Sequence, residues 1–176
     1  LKKREEKNKM VIIKNPEYKE VEENKTFEEV KKNLEELKES GEYRIELIMR
    51  TLKEKKKLRK TYIAIILTNP ARIGEVQQKS FSTRNTLYSH LYELIDLGLI
   101  KQIATLDLWN RKDLNEDEQK VIRKFKDWTS KMTDKQLQNF VKTNYFVLTE
   151  LGKDIKIVNW ALKLEKEGIR NIKLNE

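Results

Sequence analysis

The stretch that decides the fold is TRNTLYSHLYELIDLGLIKQ, residues 83–102. Small polar residues open it, an amphipathic run follows, and Gly98, two aliphatic residues and a lysine close it. Leu87, Leu91, Leu94 and Ile95 fall at i, i+4, i+7 and i+8, which is one stripe of a helix. Arg84, Asn85, Tyr88 and Ser89 occupy the other side near its start, and Ser82 or Thr83 is placed to cap the first amides. A helix N-terminus carries positive partial charge and ordinarily favours carboxylates. Here the first acidic side chain is Glu93, so the helix start is left for an anion from outside.

Upstream, TYIAIILTN (61–69) is the most apolar segment and reads as a buried helix that Pro70 ends. ARIGEVQQKS (71–80) reads as a short helix with Ile73 and Val76 inward. Downstream, LIKQIATLDLW (99–109) and NYFVLT (144–149) read as strands. Two helices are expected between them. Asn115 and Glu118 look like a capping box before Val121, Ile122, Phe125 and Trp128. Thr133 and Gln136 look like a second, before Leu137, Phe140 and Val141. A last helix over 153–167 should turn Ile155, Val158, Leu162 and Trp160 inward and end at Gly168, leaving 169–176 as a tail.

The order helix, short helix, amphipathic helix, strand, strand, helix over residues 61–165 resembles the winged helix-turn-helix domains of ArsR-, MarR- and PadR-type transcription regulators. TLYSHLYELIDLGLIKQ is similar to their recognition helix and its exit into the first wing strand. YFVLTELGKDI is similar to their second wing strand running into the C-terminal helix. The resemblance implies a mainly α fold with a small antiparallel β wing (α+β), as a winged helix domain over 61–168. Residues 26–60 would be an N-terminal helical extension. It also implies a double-stranded DNA-binding transcription regulator with its recognition helix over about 83–97, dimerising through helices that flank the domain. The candidates are the helix at 43–58 and the C-terminal helix. The chain departs from the family between the wing strands, where an insertion over about 110–143 replaces a short hairpin.

Arginine can bind guanine bidentately, asparagine can bind adenine, and Ser and Tyr reach base edges or phosphates. Arg84, Asn85, Tyr88 and Ser89 are therefore the candidate base readers, at the positions where the resembling family presents such side chains. Lys79, Ser80, Thr83, Lys101, Arg111 and Lys112 are the candidate backbone contacts, which position a domain without reading sequence. The insertion either carries Arg111, Lys112, Arg123, Lys124 and Lys126 toward DNA or packs Phe125 and Trp128 against a protein partner or second subunit; packing is favoured because the apolar stripe needs cover. KEKKKLRK (53–60) holds six positive charges and one negative, and serves either as a phosphate-facing run or as a solvated helix face. His90, the single histidine, reads as a packing residue or a phosphate contact.

The remaining organisation is coarser. Residues 1–25 read as a charged, partly disordered arm around one short strand, MVII. Helix signals begin at Thr26, with Glu29 completing a capping box and Phe27, Val30, Leu34 and Leu37 at helical spacing, and Gly41 is the expected stop. Ile45, Ile48, Met49 and Leu52 then share a face of the next helix.

The chain has 176 residues and a formal charge of +9, from 38 Lys and Arg against 29 Asp and Glu, which favours a polyanionic partner. There is no cysteine, which excludes disulfides, thiolate catalysis and zinc–thiolate sites. With one histidine and no phosphate-binding glycine loop, no catalytic or metal-ligating residue is assigned, no enzyme activity is expected and no cofactor is implied. No apolar run approaches a membrane span, so a cytoplasmic, nucleoid-associated protein is expected. Two other functions fit the same residues. One is a plasmid, viral or chromosomal DNA-binding protein for replication or partition. The other is a winged-helix protein-interaction scaffold without DNA binding, docking through the insertion. A small effector among the insertion's aromatic residues is compatible with the sequence, which specifies none.

Overall fold

The computed structural model describes residues 26–140 and 142–174, which fall into two compact units divided between Glu46 and Leu47. The charged arm and Val141 lie outside the described residues. In the first unit Thr26 caps helix α1 (Phe27–Glu39), its hydroxyl accepting the Glu29 amide at 3.2 Å. Phe27, Val30, Leu34 and Leu37 do share a stripe, and all four are exposed. The helix ends at Ser40, not at Gly41, which is the first residue of helix α2 (Gly41–Glu54).

The second unit is mainly helical, with one small antiparallel sheet. From Leu47 onward α2 belongs to it. Helix α3 (Lys56–Thr68), strand β1 (Ala71–Arg72), helix α4 (Ile73–Ser80) and helix α5 (Arg84–Asp96) follow. Strand β2 (Ile100–Ala104) runs straight into helix α6 (Thr105–Leu108), so the strand expected over 99–109 stops early. Helices α7 (Glu116–Thr129) and α8 (Asp134–Gln138) complete the insertion, and strand β3 (Asn144–Leu148) leads to helix α9 (Ile155–Leu174). The sheet order is β1-β3-β2, with Ala71 opposite Phe146 and Gln102 opposite the same residue from the other side.

One core packs Ile48, Leu52, Leu58, Tyr62, Ile65, Val76, Leu87, Leu91 and Leu94 against Ile100, Phe146 and Leu148. Ile48, Leu52 and Leu58 fall within residues 26–60, the expected helical extension, yet they are buried in this core. Their burial makes the unit begin at Leu47. A second core joins Leu108, Val121 and Phe125 to Tyr145 and Val147. Alternate residues of β3 thus enter opposite cores, as the two-residue period of a strand requires. Both faces of the sheet are covered, one by α3, α4, α5 and α9 and the other by the insertion.

Helix α9 departs from expectation in phase and length. Asp154 caps it, its carboxylate accepting the Lys156 amide at 2.9 Å and the Ile157 amide at 3.3 Å. Ile157 and Ala161, one turn apart, enter the core, while Ile155 is exposed. The helix continues through Gly168 to Leu174, so most of the expected tail is helical.

The two segments that carried the resemblance interlock. Helix α5 closes with Gly98 in the left-handed region, φ 78°. The Leu99 amide returns to Leu94 O at 3.0 Å and the Gly98 amide to Ile95 O at 2.9 Å, the paired bonds of a Schellman cap. Thr149 then donates its amide to Leu99 O at 3.0 Å and its hydroxyl to Gly98 O. The Gly152 amide returns to the Thr149 hydroxyl at 3.0 Å, and Tyr62 donates to Gly152 O at 2.6 Å.

Candidate nucleic-acid interface

Helix α5 is fixed by its buried side. Leu87, Leu91 and Leu94 are at most 1 % exposed, so the opposite face must point outward. Thr83 is the cap, accepting the Thr86 amide at 3.4 Å, and the first turn has no acidic residue. Arg84, Asn85, Tyr88 and Ser89 are all exposed. At 100° per residue they cover an arc of about 140°. Arg84 and Tyr88 stand on one flank, where Arg84 Nε donates to Gln77 of α4 at 3.5 Å and Tyr88 stacks on Tyr92 with ring centres 6.5 Å apart. Ser89 stands on the other flank, where it lines a hollow with His90, Glu93 and Lys55, Lys56 and Lys57 at the start of α3. Asn85 sits between.

That hollow gives the KEKKKLRK run a place. It straddles the break between α2 and α3 and sets Lys56 and Lys57, both exposed, beside the Ser89 flank of α5. Lys55 pairs with Glu93, which offsets the first acidic side chain of α5. The Thr61 hydroxyl lies between the Lys57 carbonyl at 3.2 Å and His90 Nδ1 at 3.0 Å. Burial lowers the His90 pKa below its usual 6.5, the Glu93 charge opposes this, and Lys57 and Lys55 add to it. His90 is therefore a neutral packing residue at pH 7.

The expected backbone contacts separate into free and committed groups. Lys79 is exposed at the end of α4. Ser80 is 7 % exposed, and its hydroxyl is buried without a hydrogen-bond partner, so it offers no surface contact. Thr83 is exposed but spends its hydroxyl oxygen on the cap. Lys101 pairs with Asp117 at 3.2 Å, and Arg111 with Asp113 and Glu118, each at 3.3 Å. Lys112 is exposed. Lys124, one of the cations the insertion was to offer DNA, turns inward. It donates to Thr68 O at 2.8 Å and to Pro70 O, and pairs with Glu75 at 2.9 Å.

In the insertion's apolar stripe, Val121 and Phe125 are covered by the chain itself. Phe125 is 1 % exposed against Tyr145 and Val147, which leaves it no partner protein to meet. Trp128 is half-buried; Phe140 meets it edge-on at 5.2 Å, and the Arg72 guanidinium lies 3.9 Å from its ring centre. Both capping boxes form, Asn115 with Glu118 and Thr133 with Gln136.

Phe81 was not anticipated. It occupies the turn between α4 and α5, 94 % exposed, with φ 55°. A bulky residue in the left-handed region carries strain, and such a position ordinarily takes Gly or Asn. The signal was present, since the turn before the amphipathic run contains no glycine.

Among the described residues no three His, Asp or Glu side chains are placed to hold a metal ion, and no helix is long and apolar enough to cross a membrane. No protein-family model, curated protein or solved structure matches this chain.

Proposed function

We propose that this chain is a double-stranded DNA-binding transcription regulator of the winged helix-turn-helix type, with α5 as its recognition helix. The observation that carries the reading is the outward face of α5. Arg84, Asn85, Tyr88 and Ser89 are exposed together, on a helix whose first turn has no carboxylate. Near it, Lys79 at the end of α4 and Lys56 and Lys57 at the start of α3 supply cations for flanking phosphates. The element order α3-β1-α4-α5-β2-β3-α9, with β3 between β1 and β2, supports the same reading. The wing differs from a short hairpin, because the insertion follows β2 and braces Lys101 and Arg111 in ion pairs. Base reading therefore falls to α5, and backbone contact to Lys79, Lys56 and Lys57.

Fluorescence anisotropy with random and genomic duplexes over a salt series tests this. Wild type should prefer particular duplexes and weaken steeply with salt. An Arg84→Ala/Asn85→Ala variant should lose that preference, by about 1–3 kcal/mol per lost bidentate contact, and keep its salt slope to within one lost cation. No binding, or weak binding that the variant leaves unchanged, overturns the assignment and returns the protein-interaction scaffold as the better reading.

A further inference from the structure

Beside α5 the second unit opens a cleft of about 340 Å³, at the lower end of the range for small-molecule sites. Two aromatic pairs line it. Tyr88 and Tyr92 come from α5, and Trp128 and Phe140 come from the insertion. Buried Leu91 and Phe146 form its floor. The charged residues of the lining are Arg72, Arg84 and Lys142, with no carboxylate. Arg72 is committed, lying over the Trp128 ring and 3.5 Å from Glu75, whereas Arg84 and Lys142 are exposed. Gln102 and Asn144 bring two side-chain amides to the same space.

We propose that this cleft holds a single unstacked nucleotide, its base among the aromatic side chains and its phosphate on Arg84 and Lys142. Aromatic surfaces beside free cations are the arrangement that binds unpaired strands, because every base has a π face and every linkage a charge. Amide side chains supply donor and acceptor together, as a base edge requires and a simple aromatic acid does not. Arg84 and Tyr88 belong both to the cleft and to the face assigned to DNA, so an unpaired nucleotide at a junction or bulge is delivered to the cleft mouth. The inference rests on the reading of α5 as a nucleic-acid face.

Gly74 provides the test. It lies in the first turn of α4, lines the cleft, and a Cβ built there meets nothing within 4 Å. Gly74→Leu fills the space, and leucine is the better helix former, so the variant should fold. The full chain is titrated with a single-stranded oligonucleotide, the matching blunt duplex, adenosine monophosphate and benzoate. Anisotropy follows the DNA, with the two small molecules as competitors, and thermal unfolding by circular dichroism checks the fold. Gly74→Leu should weaken single-strand binding about tenfold, as loss of one stacked base does, and leave blunt-duplex affinity within twofold. Competition by adenosine monophosphate assigns the cleft to free nucleotides as well. Gly74-dependent oligonucleotide binding that adenosine monophosphate does not displace assigns it to a strand. Single-strand affinity unchanged in Gly74→Leu overturns the inference, as does benzoate competing as well as the nucleotide. If duplex binding holds in either of those cases, the proposed function survives. If duplex binding is absent while single-strand binding depends on Gly74, the proposed function fails and the cleft stands.

Discussion

Gly152 has no room for a side chain: a Cβ there would meet the Leu99 carbonyl oxygen at 1.9 Å. Both partners are backbone, so neither can swing aside, and Gly152→Ala must push the β3–α9 turn off the start of β2. The expected loss is about 3 kcal/mol, read as a lowered urea midpoint with little change in slope. A midpoint within error of wild type would contradict the close approach. His90 gives a second prediction at this scale, with a sign fixed by its lowered pKa. Well above pH 6.5 the ring is neutral in both states and its contribution is complete. As pH falls from 6.5 toward the folded pKa, the unfolded chain takes up the proton first and stability declines. His90→Gln should therefore lose less stability than wild type between pH 7.5 and pH 5. Equal losses would mean that the ring titrates alike folded and unfolded.

The elements show which signals survive folding. Helix α5 was legible because its stripe, its Thr83 cap and its Gly98 exit all agree, and agreement between levels marks a well-specified element. The four candidate base readers were legible as exposed residues on the same stripe logic. The cleft was not, because Gly74, Tyr92, Gln102 and Lys142 meet there from four separate segments. Strand β1 escaped notice, since two residues carry no period. Helix α6 was hidden in an apolar run that suits a strand as well as a helix. In α9, Ile155 and Ile157 both invite burial; Asp154 sets the start of the helix and with it the phase that takes Ile157 inward. Gly168 failed as a stop because an interior glycine costs only about 1 kcal/mol relative to alanine. The insertion's stripe invited cover by a protein partner or second subunit, whereas Val121 and Phe125 pack against Tyr145 and Val147 of β3. Phe125 is the central contact, so Phe125→Ala should cost about 3–5 kcal/mol in urea unfolding. A cost below about 1 kcal/mol would mean that the insertion is an appendage rather than the second face of the sheet.

At the scale of the whole molecule, the excess charge of +9 matters less than where unpaired cations stand. A count of lysines and arginines cannot separate Lys124, buried against Thr68 and Glu75, from Lys79, which is exposed. The fold makes that separation, and counterion release turns it into a measurable slope. Each phosphate neutralised on duplex DNA adds about 0.9 to the magnitude of the slope of log affinity against log salt. Lys57, beside the Ser89 flank of α5, and Lys79, in the last turn of α4, are exposed and enter none of the ion pairs described above. Lys57→Gln/Lys79→Gln should lower the slope by about 2 and weaken binding alike across sequences. Arg111 already neutralises Asp113 and Glu118 within the insertion, and its guanidinium holds the Asp113 carboxyl below its usual value. Arg111→Gln should therefore change the slope by less than about 0.5. If Arg111→Gln instead removes a full unit and the lysine pair removes none, the insertion carries the phosphate contacts, and the DNA runs along the wing side of α5 rather than past the start of α3 and the end of α4.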